Sequence, residues 1–407
     1  MSETKRPFDI VVWGATGFTG RLVFEYLIRY YPNVSIAIAG RNLQKCQQVL
    51  QELAADVPII VADAFDEPSL RSMVQQAAVV CTTVGPYSTY GQLLVDLCVE
   101  ESTHYCDLTG ESPFVRSVID RHHDEATKKQ VAIVHACGFD SIPSDLGVLM
   151  TQDYIHAQTD NYAESIQFVT GKMKGGFSGG TIASFVHMLD RIPEHPEIPK
   201  ILQNPYALNP DPTFQGPDGV DQMTVRYHST LHRWTAPFIM AGTNTRIVRR
   251  SHALRDFIYG EHFRYSETMG FPKGLRGLSM ALGVTLGLGG LLGAMVSSKF
   301  LRRQIWQRLP QPGEGPSPEE RSAGYFNVHL YGQVDGQWFE GTVGDTIDPG
   351  YACTAKMLAE SCLCLVLNRD ELPMKGGVMT PAAAFGQVLI SRLKNANMVF
   401  SCRRLEG

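Results

Sequence analysis

Three glycines, Gly14, Gly17 and Gly20, recur at intervals of three residues in the stretch FDIVVWGATGFTG. An apolar, β-branched run ends at the first glycine, and a helix-like run, RLVFEYLIRY, begins at Arg21. A strand, a Gly-rich turn and a helix N-terminus suit a pyrophosphate, because the backbone can approach it closely and free N–H groups face the anion. Glycine spacing alone is weak evidence, but these flanking elements indicate a dinucleotide site.

Residues that follow the later predicted strands are expected to extend this dinucleotide site. Arg41 follows the predicted strand Asn33–Ala39, where an NAD-selective site usually has an acidic residue for the ribose 2′-hydroxyl. A guanidinium can pair with a 2′-phosphate, so Arg41 favours NADP; a solvated loop arginine is the alternative. Asp63 could meet the adenine edge or serve as a turn residue, and Thr83 and Gly85 are expected near the nicotinamide half. The predicted cofactor-binding residues are Gly14, Ala15, Thr16, Gly17, Phe18, Thr19, Gly20, Arg41, Asp63, Thr83 and Gly85.

The elements that position these residues form an α/β pattern. Five or six strands alternate with helices from Phe8 to about Gly147, which predicts a doubly wound parallel sheet of the Rossmann type. The apolar run at Ala77–Val84 is typical of a strand buried on both faces. Beyond Leu149 the sequence pattern changes. There, Asp335-Gly336 between two strand-like runs predicts a hairpin.

Composition narrows the class of protein. The chain has 407 residues, 44% hydrophobic and 19% charged, which indicates a globular protein of two or three domains. The formal charge of -5 and the lack of a dense basic run argue against nucleic-acid binding. Nine scattered cysteines suggest a reducing, intracellular setting, and the polar N-terminus does not resemble a signal peptide. No ligand spacing for a metal is found, so no metal is predicted.

One apolar segment, 277–298, has no charged residue over a length that could cross a bilayer. It contains two G-x-x-x-G spacings, which let helices approach closely. The basic residues that flank it are Lys273, Arg276, Lys299, Arg302 and Arg303. We expect peripheral contact with a membrane, since so many glycines make a poor isolated helix; a buried helix or hairpin at a subunit interface is the alternative.

Three further stretches carry weaker indications. A second Gly-rich loop, Gly175–Thr181, could bind an anion or serve as a flexible loop. The apolar stretch Thr235–Ile247 could line a substrate cavity. Arg249 and Arg250 could hold a phosphate or a lipid head group, although an exposed cationic face is the commoner explanation of such a pair.

Several of these motifs, taken together, make the chain resemble the saccharopine dehydrogenase-like family, specifically its trans-acting enoyl reductase branch. The resemblance runs from Phe8 to Gly386. The matching pieces are FDIVVWGATGFTG, IAIAGRN, TTVGPYSTYG, YCDLTGE, ACGFDSIPSDLG, NTRIVRRS, FRYSETM and GVMTPAAAFG. The branch also includes the cyanobacterial monoglucosyldiacylglycerol epimerase.

The resemblance implies three parts. These are a dinucleotide-binding Rossmann domain at 1–150, a substrate-facing α+β domain at 151–350 that includes the apolar segment, and a helical segment at 351–407 that returns to the first domain. It also implies a nicotinamide cofactor, here NADP, and a lipid or glycolipid substrate. We expect a cytoplasmic protein on a membrane surface, and the sequence leaves a homo-oligomer open.

For the reaction, the resemblance favours epimerisation at sugar C4 of monoglucosyldiacylglycerol, by transient oxidation and re-reduction. The first alternative is an enoyl reductase that uses NADPH to reduce an unsaturated acyl or polyketide lipid precursor. The second is a non-catalytic NADP-binding protein of membranes or lipid droplets. Reductase and epimerase differ in stoichiometry, because only a reductase consumes NADPH.

Either reaction needs a group that exchanges one proton beside the nicotinamide. Tyr87 and Tyr351 are the predicted catalytic hydroxyls, with Asp140 and Asp145 as tuning or orienting carboxylates. Tyr87 could instead pack only as a wall residue. The Tyr-x-x-x-Lys pair of sugar epimerases is absent, because Lys356 lies five residues after Tyr351.

Overall fold

The computed structural model describes residues 6–175, 179–309 and 313–406. Three residues of the predicted second Gly-rich loop, 176–178, lie outside the described residues, so only part of that prediction can be placed. The strands are β1 (Phe8–Trp13), β2 (Ile36–Gly40), β3 (Ile59–Val61), β4 (Ala77–Thr82), β5 (His104–Cys106), β6 (Ala132–Val134), β7 (Ser165–Lys174), β8 (Arg226–His228), β9 (Arg233–Pro237), β10 (Arg264–Phe271), β11 (Tyr325–Val334), β12 (Gln337–Asp345), β13 (Gly377–Met379) and β14 (Val399–Arg404).

Helices connect and cover these strands. They are α1 (Phe18–Tyr30), α2 (Leu43–Glu52), α3 (Glu67–Gln76), α4 (Tyr87–Tyr90), α5 (Gln92–Glu100), α6 (Ser112–Lys128), α7 (Ile142–Thr159), α8 (Gly179–Arg191), α9 (Glu197–Gln203), α10 (Ala241–Leu254), α11 (Gly274–Ser297), α12 (Lys299–Trp306), α13 (Pro318–Ser322), α14 (Thr354–Leu367) and α15 (Pro381–Asn395). A π-helical turn, Pro349–Cys353, leads into α14.

The first sheet confirms the predicted Rossmann architecture. Its strand order is β13-β6-β5-β4-β1-β2-β3, and every pair is parallel. The reversal of strand order between β1 and β4 opens a crevice at the carboxyl ends of these strands, where ligands bind in doubly wound folds. Strands β1, β2 and β4 are almost wholly buried, which explains their continuous apolar sequences.

The second sheet is mixed and has the order β14-β12-β11-β7-β10-β9-β8. Only β7 and β10 pair in parallel; the other neighbours are antiparallel. The predicted hairpin is confirmed, since Asp335 and Gly336 join β11 to β12 with φ of 50° and 78°. Positive φ at both central residues matches the twist of the flanking strands.

The paired arginines are not an exposed cationic face. Arg249 and Arg250 lie on α10 and are buried. The side chain of Arg249 forms an ion pair of 2.7 Å with Asp218, and Arg250 donates to the backbone oxygens of Leu208 and Val378. A buried guanidinium can donate its N–H groups to carbonyl and carboxylate oxygens, so an arginine can be accommodated inside a protein. The expectation that Arg249 and Arg250 form an exposed cationic face was therefore wrong.

The C-terminal residues return to both sheets. Strand β13 pairs with β6 in the first sheet, and β14 pairs with β12 in the second. A buried carboxylate joins the returning helices to the start of the chain: Glu360 on α14 accepts hydrogen bonds of 2.6 Å from Tyr26 and Tyr31, and of 2.7 Å from Arg392. The predicted boundaries at 150 and 350 stay predictions.

We expect Glu360→Gln to destabilise the protein by about 3 kcal/mol, because it leaves the Arg392 guanidinium without its buried counter-charge. Denaturant unfolding measures the effect. Glu25→Gln is the control. Glu25 precedes Tyr26, a partner of Glu360, on α1, and it forms no ion pair with a described residue. Equal stability of the two variants would show that Glu360 does not hold the C-terminal return in place.

Candidate active site at the carboxyl edge of the first sheet

The glycine turn brings the N-terminus of α1 against the edge of the first sheet. Gly14 has φ of +96°, and a Cβ there would lie 2.7 Å from Val84 Cγ2. A Cβ on Gly20 would lie 2.2 Å from the Gly14 carbonyl oxygen. Both positions therefore require glycine, one for its backbone conformation and the other for the close approach of helix and strand.

The first turn of α1 is suited to an anion. Gly17 is the N-cap and provides no capping side chain, and the first turn contains no acidic residue. The N–H groups of a helix's first turn have no partner within the helix, so they are available to a phosphate. The open backbone between Gly14 and Thr19 thus fits a pyrophosphate.

The other predicted cofactor residues surround this turn. Arg41 follows β2, is exposed, and forms no ion pair with a described residue. Thr83 follows β4 and its hydroxyl lies 3.4 Å from the Gly14 carbonyl oxygen. Asp63 accepts a hydrogen bond of 2.9 Å from the backbone of Phe65, as in an Asx turn. Gly85 is exposed beside Tyr87. Their contacts with a cofactor stay predictions.

A cavity of about 240 Å³ is lined by residues at this edge and by residues of the second sheet and the helices around it. Thr19 on α1 and Asp140 after β6 are the polar side chains that the first 150 residues contribute to the cavity wall. Most of the wall is apolar and comes from residues after position 170. The lining residues are Thr19, Leu108, Gly138, Phe139, Asp140, Met173, Gly175, Thr181, Phe238, Ile239, Met240, Met269, Val284, Leu288, Pro349, Gly350 and Thr354. The predicted cavity stretch Thr235–Ile247 contributes three of these.

Asp140 is the carboxylate of this cavity. It forms no hydrogen bond or ion pair with any residue in the described part of the chain. Desolvation by the surrounding apolar groups raises the pKa of Asp140 to about 6. A carboxyl group with this pKa is partly protonated near neutral pH and can therefore donate a proton.

The loop that carries Asp140 is fixed on both sides. The Phe139 ring packs edge-on against Phe326 at 4.8 Å, and the Phe139 N–H donates a hydrogen bond of 3.1 Å to Thr354 Oγ1. The Ser141 hydroxyl donates a hydrogen bond of 3.1 Å to Asn244 on α10. Because neighbours from the second sheet, α14 and α10 hold this loop, the carboxylate keeps its place without a partner of its own.

The other three predicted catalytic residues lie outside the cavity wall. The Tyr87 hydroxyl donates to the Thr82 carbonyl at 3.3 Å, and the ring stacks on Phe114. The Tyr351 hydroxyl donates to the Glu314 carbonyl at 3.0 Å. Burial raises the pKa of both phenols. Their part in proton transfer stays a prediction, but each hydroxyl already has a backbone acceptor.

Asp145 joins three helices. It lies in the first turn of α7, accepts a hydrogen bond from Ser251 on α10, and accepts a second of 2.7 Å from the Ala382 N–H at the start of α15. Burial raises its pKa to about 7, against the lowering effect of these hydrogen bonds. Such contacts indicate a structural role at the end of the cavity loop.

Comparison with known proteins supplies the family. Residues 10–134 match the saccharopine dehydrogenase NADP binding domain. A protein of Mycobacterium tuberculosis, provisionally named a trans-acting enoyl reductase, is 42% identical over the full length of both chains. Trans-acting enoyl reductases of Mycobacterium ulcerans and Mycobacterium tuberculosis are 39% and 37% identical, also over 100% of both chains.

The chain belongs to the trans-acting enoyl reductase branch of the saccharopine dehydrogenase family. Its fold agrees with this assignment: apo saccharopine dehydrogenase (L-Glu forming) from Saccharomyces cerevisiae aligns with a TM-score of 0.56 over 98% of this chain and 100% of that one, at 13% identity. The predictions of family, fold and NADP are therefore confirmed.

Membership in this family makes the chain a nicotinamide-dependent oxidoreductase. The names of the relatives support the reductase alternative rather than epimerisation of a glucosyl lipid, for which the comparisons give no support. Most of the apolar cavity wall, which local sequence patterns signalled only at Thr235–Ile247, belongs to the part of the chain beyond the matched NADP-binding domain.

We expect Arg41→Ala to weaken NADPH binding by roughly 10-fold to 100-fold and to leave NADH binding nearly unchanged, because a charged hydrogen bond to the 2′-phosphate contributes about 1.5–3 kcal/mol. Fluorescence titration with each nucleotide measures this. Arg29→Ala, which removes an exposed arginine at the far end of α1, is the matched control. An equal loss for both nucleotides would contradict a role for Arg41 in recognising the 2′-phosphate.

Proposed function

We propose that this protein is an NADPH-dependent reductase of an acyl substrate whose carbon–carbon double bond is conjugated to a carbonyl group. One observation carries the proposal: a single cavity joins the first turn of α1, at Thr19, to an unpartnered carboxyl group, at Asp140, and to apolar walls. The family supplies the cofactor, and relatives of equal length are named enoyl reductases.

The apolar walls are suited to an acyl chain. Met173, Phe238, Met269 and Leu288 surround the cavity, and flexible methionine side chains can pack against ligands of irregular shape. Burial of apolar surface contributes about 25 cal/mol per Å², so such walls can hold a chain with few polar contacts.

Asp140 is the proposed proton donor. The first turn of α1 would hold NADPH, whose chemistry when bound would be to supply a hydride for Cβ of the substrate. The protonated Asp140 carboxyl group gives its proton to Cα, so that the double bond gains one hydride and one proton, and the carboxylate regains its proton from solvent. Because the pKa of Asp140 is raised to about 6, a fraction of the protein molecules carries a protonated Asp140 at neutral pH.

We expect kcat/KM to fall about tenfold per pH unit above about pH 6, because the protonated fraction of Asp140 falls there. Asp140→Asn should lower kcat roughly 100-fold to 10,000-fold and remove this pH dependence, and Asp140→Glu should restore part of the rate. Steady-state kinetics over pH 5 to about 9 measure both effects.

Asp145→Asn is the matched control for this experiment. Its pKa is also raised, to about 7, but it lies outside the cavity. We expect this variant to lose thermal stability while it keeps the fall in rate near pH 6. A pH profile that persists in Asp140→Asn, or disappears only in Asp145→Asn, would exclude Asp140 as the proton donor.

The stoichiometry of NADPH decides between the candidate reactions. We expect one NADPH to be oxidised for each double bond reduced when an enoyl thioester on an acyl carrier protein is supplied, and none with the corresponding saturated thioester. Loss of NADPH absorbance and mass spectrometry of the acyl group measure the two products. Conversion of a glucosyl lipid to a galactosyl lipid without net NADPH oxidation would instead support epimerisation, and tight NADPH binding without any turnover would support a non-catalytic protein.

A further inference from the structure

Helix α11 exposes most of an apolar sequence. Two helical stretches in the described part of the chain are long and apolar enough to cross a membrane, Gly274–Ser297 and Pro349–Leu367. The second is 78% buried and packs in the protein core, whereas only 11% of the first is buried. An exposed apolar surface of this extent marks an interaction site.

The two faces of α11 have different surroundings. The inner face packs against β9 and β10, with Ala281 and Met295 buried, and its residues Val284 and Leu288 line the cavity. On the opposite face, Leu275, Leu282, Leu286 and Val296 follow a helical spacing, and Leu286 is 73% exposed. Because part of the inner face packs against protein, the outer face is the larger apolar surface that the helix offers to a partner.

Positive charge marks both ends of this face. Lys273 and Arg276 lie at the start of α11, and Lys299 and Arg303 lie at the start of α12; all four are exposed, and none forms an ion pair with a described residue. No Asp or Glu occurs between Glu267 and Glu314, although the chain as a whole has a charge of -5. The face therefore combines apolar residues with local cations.

Five glycines of α11 have no neighbour on their outer side among the residues that the structure describes. A Cβ added at Gly283, Gly287, Gly289, Gly290 or Gly293 would meet no atom within 4 Å. Each glycine in an exposed helix costs about 1 kcal/mol relative to alanine. A helix with this composition gains stability from an environment outside the chain, and an apolar one favours its backbone hydrogen bonds.

We propose that the outer face of α11, together with the start of α12, docks on the surface of an anionic lipid bilayer. The helix lies in the plane of the interface, with the leucines of its outer face among the acyl chains and its terminal cations at the head groups. A second copy of this chain is a poorer occupant, because both ends of the face are cationic and two copies would bring like charges together in either orientation.

Binding to vesicles tests the proposal on the full chain. We expect the protein to float with vesicles of phosphatidylcholine mixed with phosphatidylglycerol, to bind phosphatidylcholine alone weakly, and to lose affinity for the mixture as salt rises. Hydrogen exchange of residues 274–297 should slow in the presence of the anionic vesicles, because their backbone amides leave water.

Two sets of variants separate the apolar and electrostatic contributions. Leu282→Glu with Leu286→Glu should lower the partition coefficient at least about tenfold on the anionic vesicles. Lys299→Gln with Arg303→Gln should lower it about fivefold per charge on those vesicles and leave binding to neutral ones unchanged. Val220→Glu, at a residue that is 82% exposed and outside α11 and α12, is the control for the apolar change, and Arg29→Gln for the charge change.

The outcomes are distinct. Absence of vesicle binding, or equal effects of the control variants, would overturn the proposal. A Leu286-dependent dimer in sedimentation, without vesicle binding, would assign the face to a second copy. Asp140→Asn should bind vesicles as the unchanged protein does, so failure of docking and failure of the proposed reductase activity can be told apart.

Discussion

The close contact between α1 and β1 is the constraint on which the site depends. The absence of a side chain at Gly20 allows the helix to approach the Gly14 carbonyl, and this approach places the N-terminal turn of the helix at the edge of the sheet. The same turn carries Thr19 into the cavity wall. A cofactor site and a substrate cavity thus share one short segment, whose position is determined by backbone packing.

The second sheet and helices α10 and α14 hold the other part of the site, the loop that carries Asp140. Phe326 on β11, Thr354 on α14 and Asn244 on α10 hold the segment that presents Asp140. A carboxyl group without a partner in an apolar cavity destabilises a folded protein at neutral pH, because its ionised form is poorly solvated. Its retention here is consistent with a functional site, where local stability is often lower than elsewhere.

The sequence was most informative where the determinants are local. Glycine spacing after an apolar strand predicted the dinucleotide turn, and Asp335-Gly336 predicted the hairpin, because each depends on a few neighbouring backbone conformations. The cavity depends on tertiary packing of segments far apart in the chain, so its walls were only partly anticipated, at Thr235–Ile247. The burial of Arg249 and Arg250 was missed for the same reason, since no local pattern reveals which carbonyl groups will surround a guanidinium.

The position of β13 and β14 has a consequence for how the protein is made. Each strand forms an edge of one of the two sheets, yet both follow every other strand of these sheets along the chain. A ribosome must therefore release all twelve earlier strands before either sheet is complete, and a nascent N-terminal half exposes the edge of β6 in the meantime. Completion of both sheets thus depends on the same late segment, and fragments that end before Gly377 lack an edge strand from each sheet.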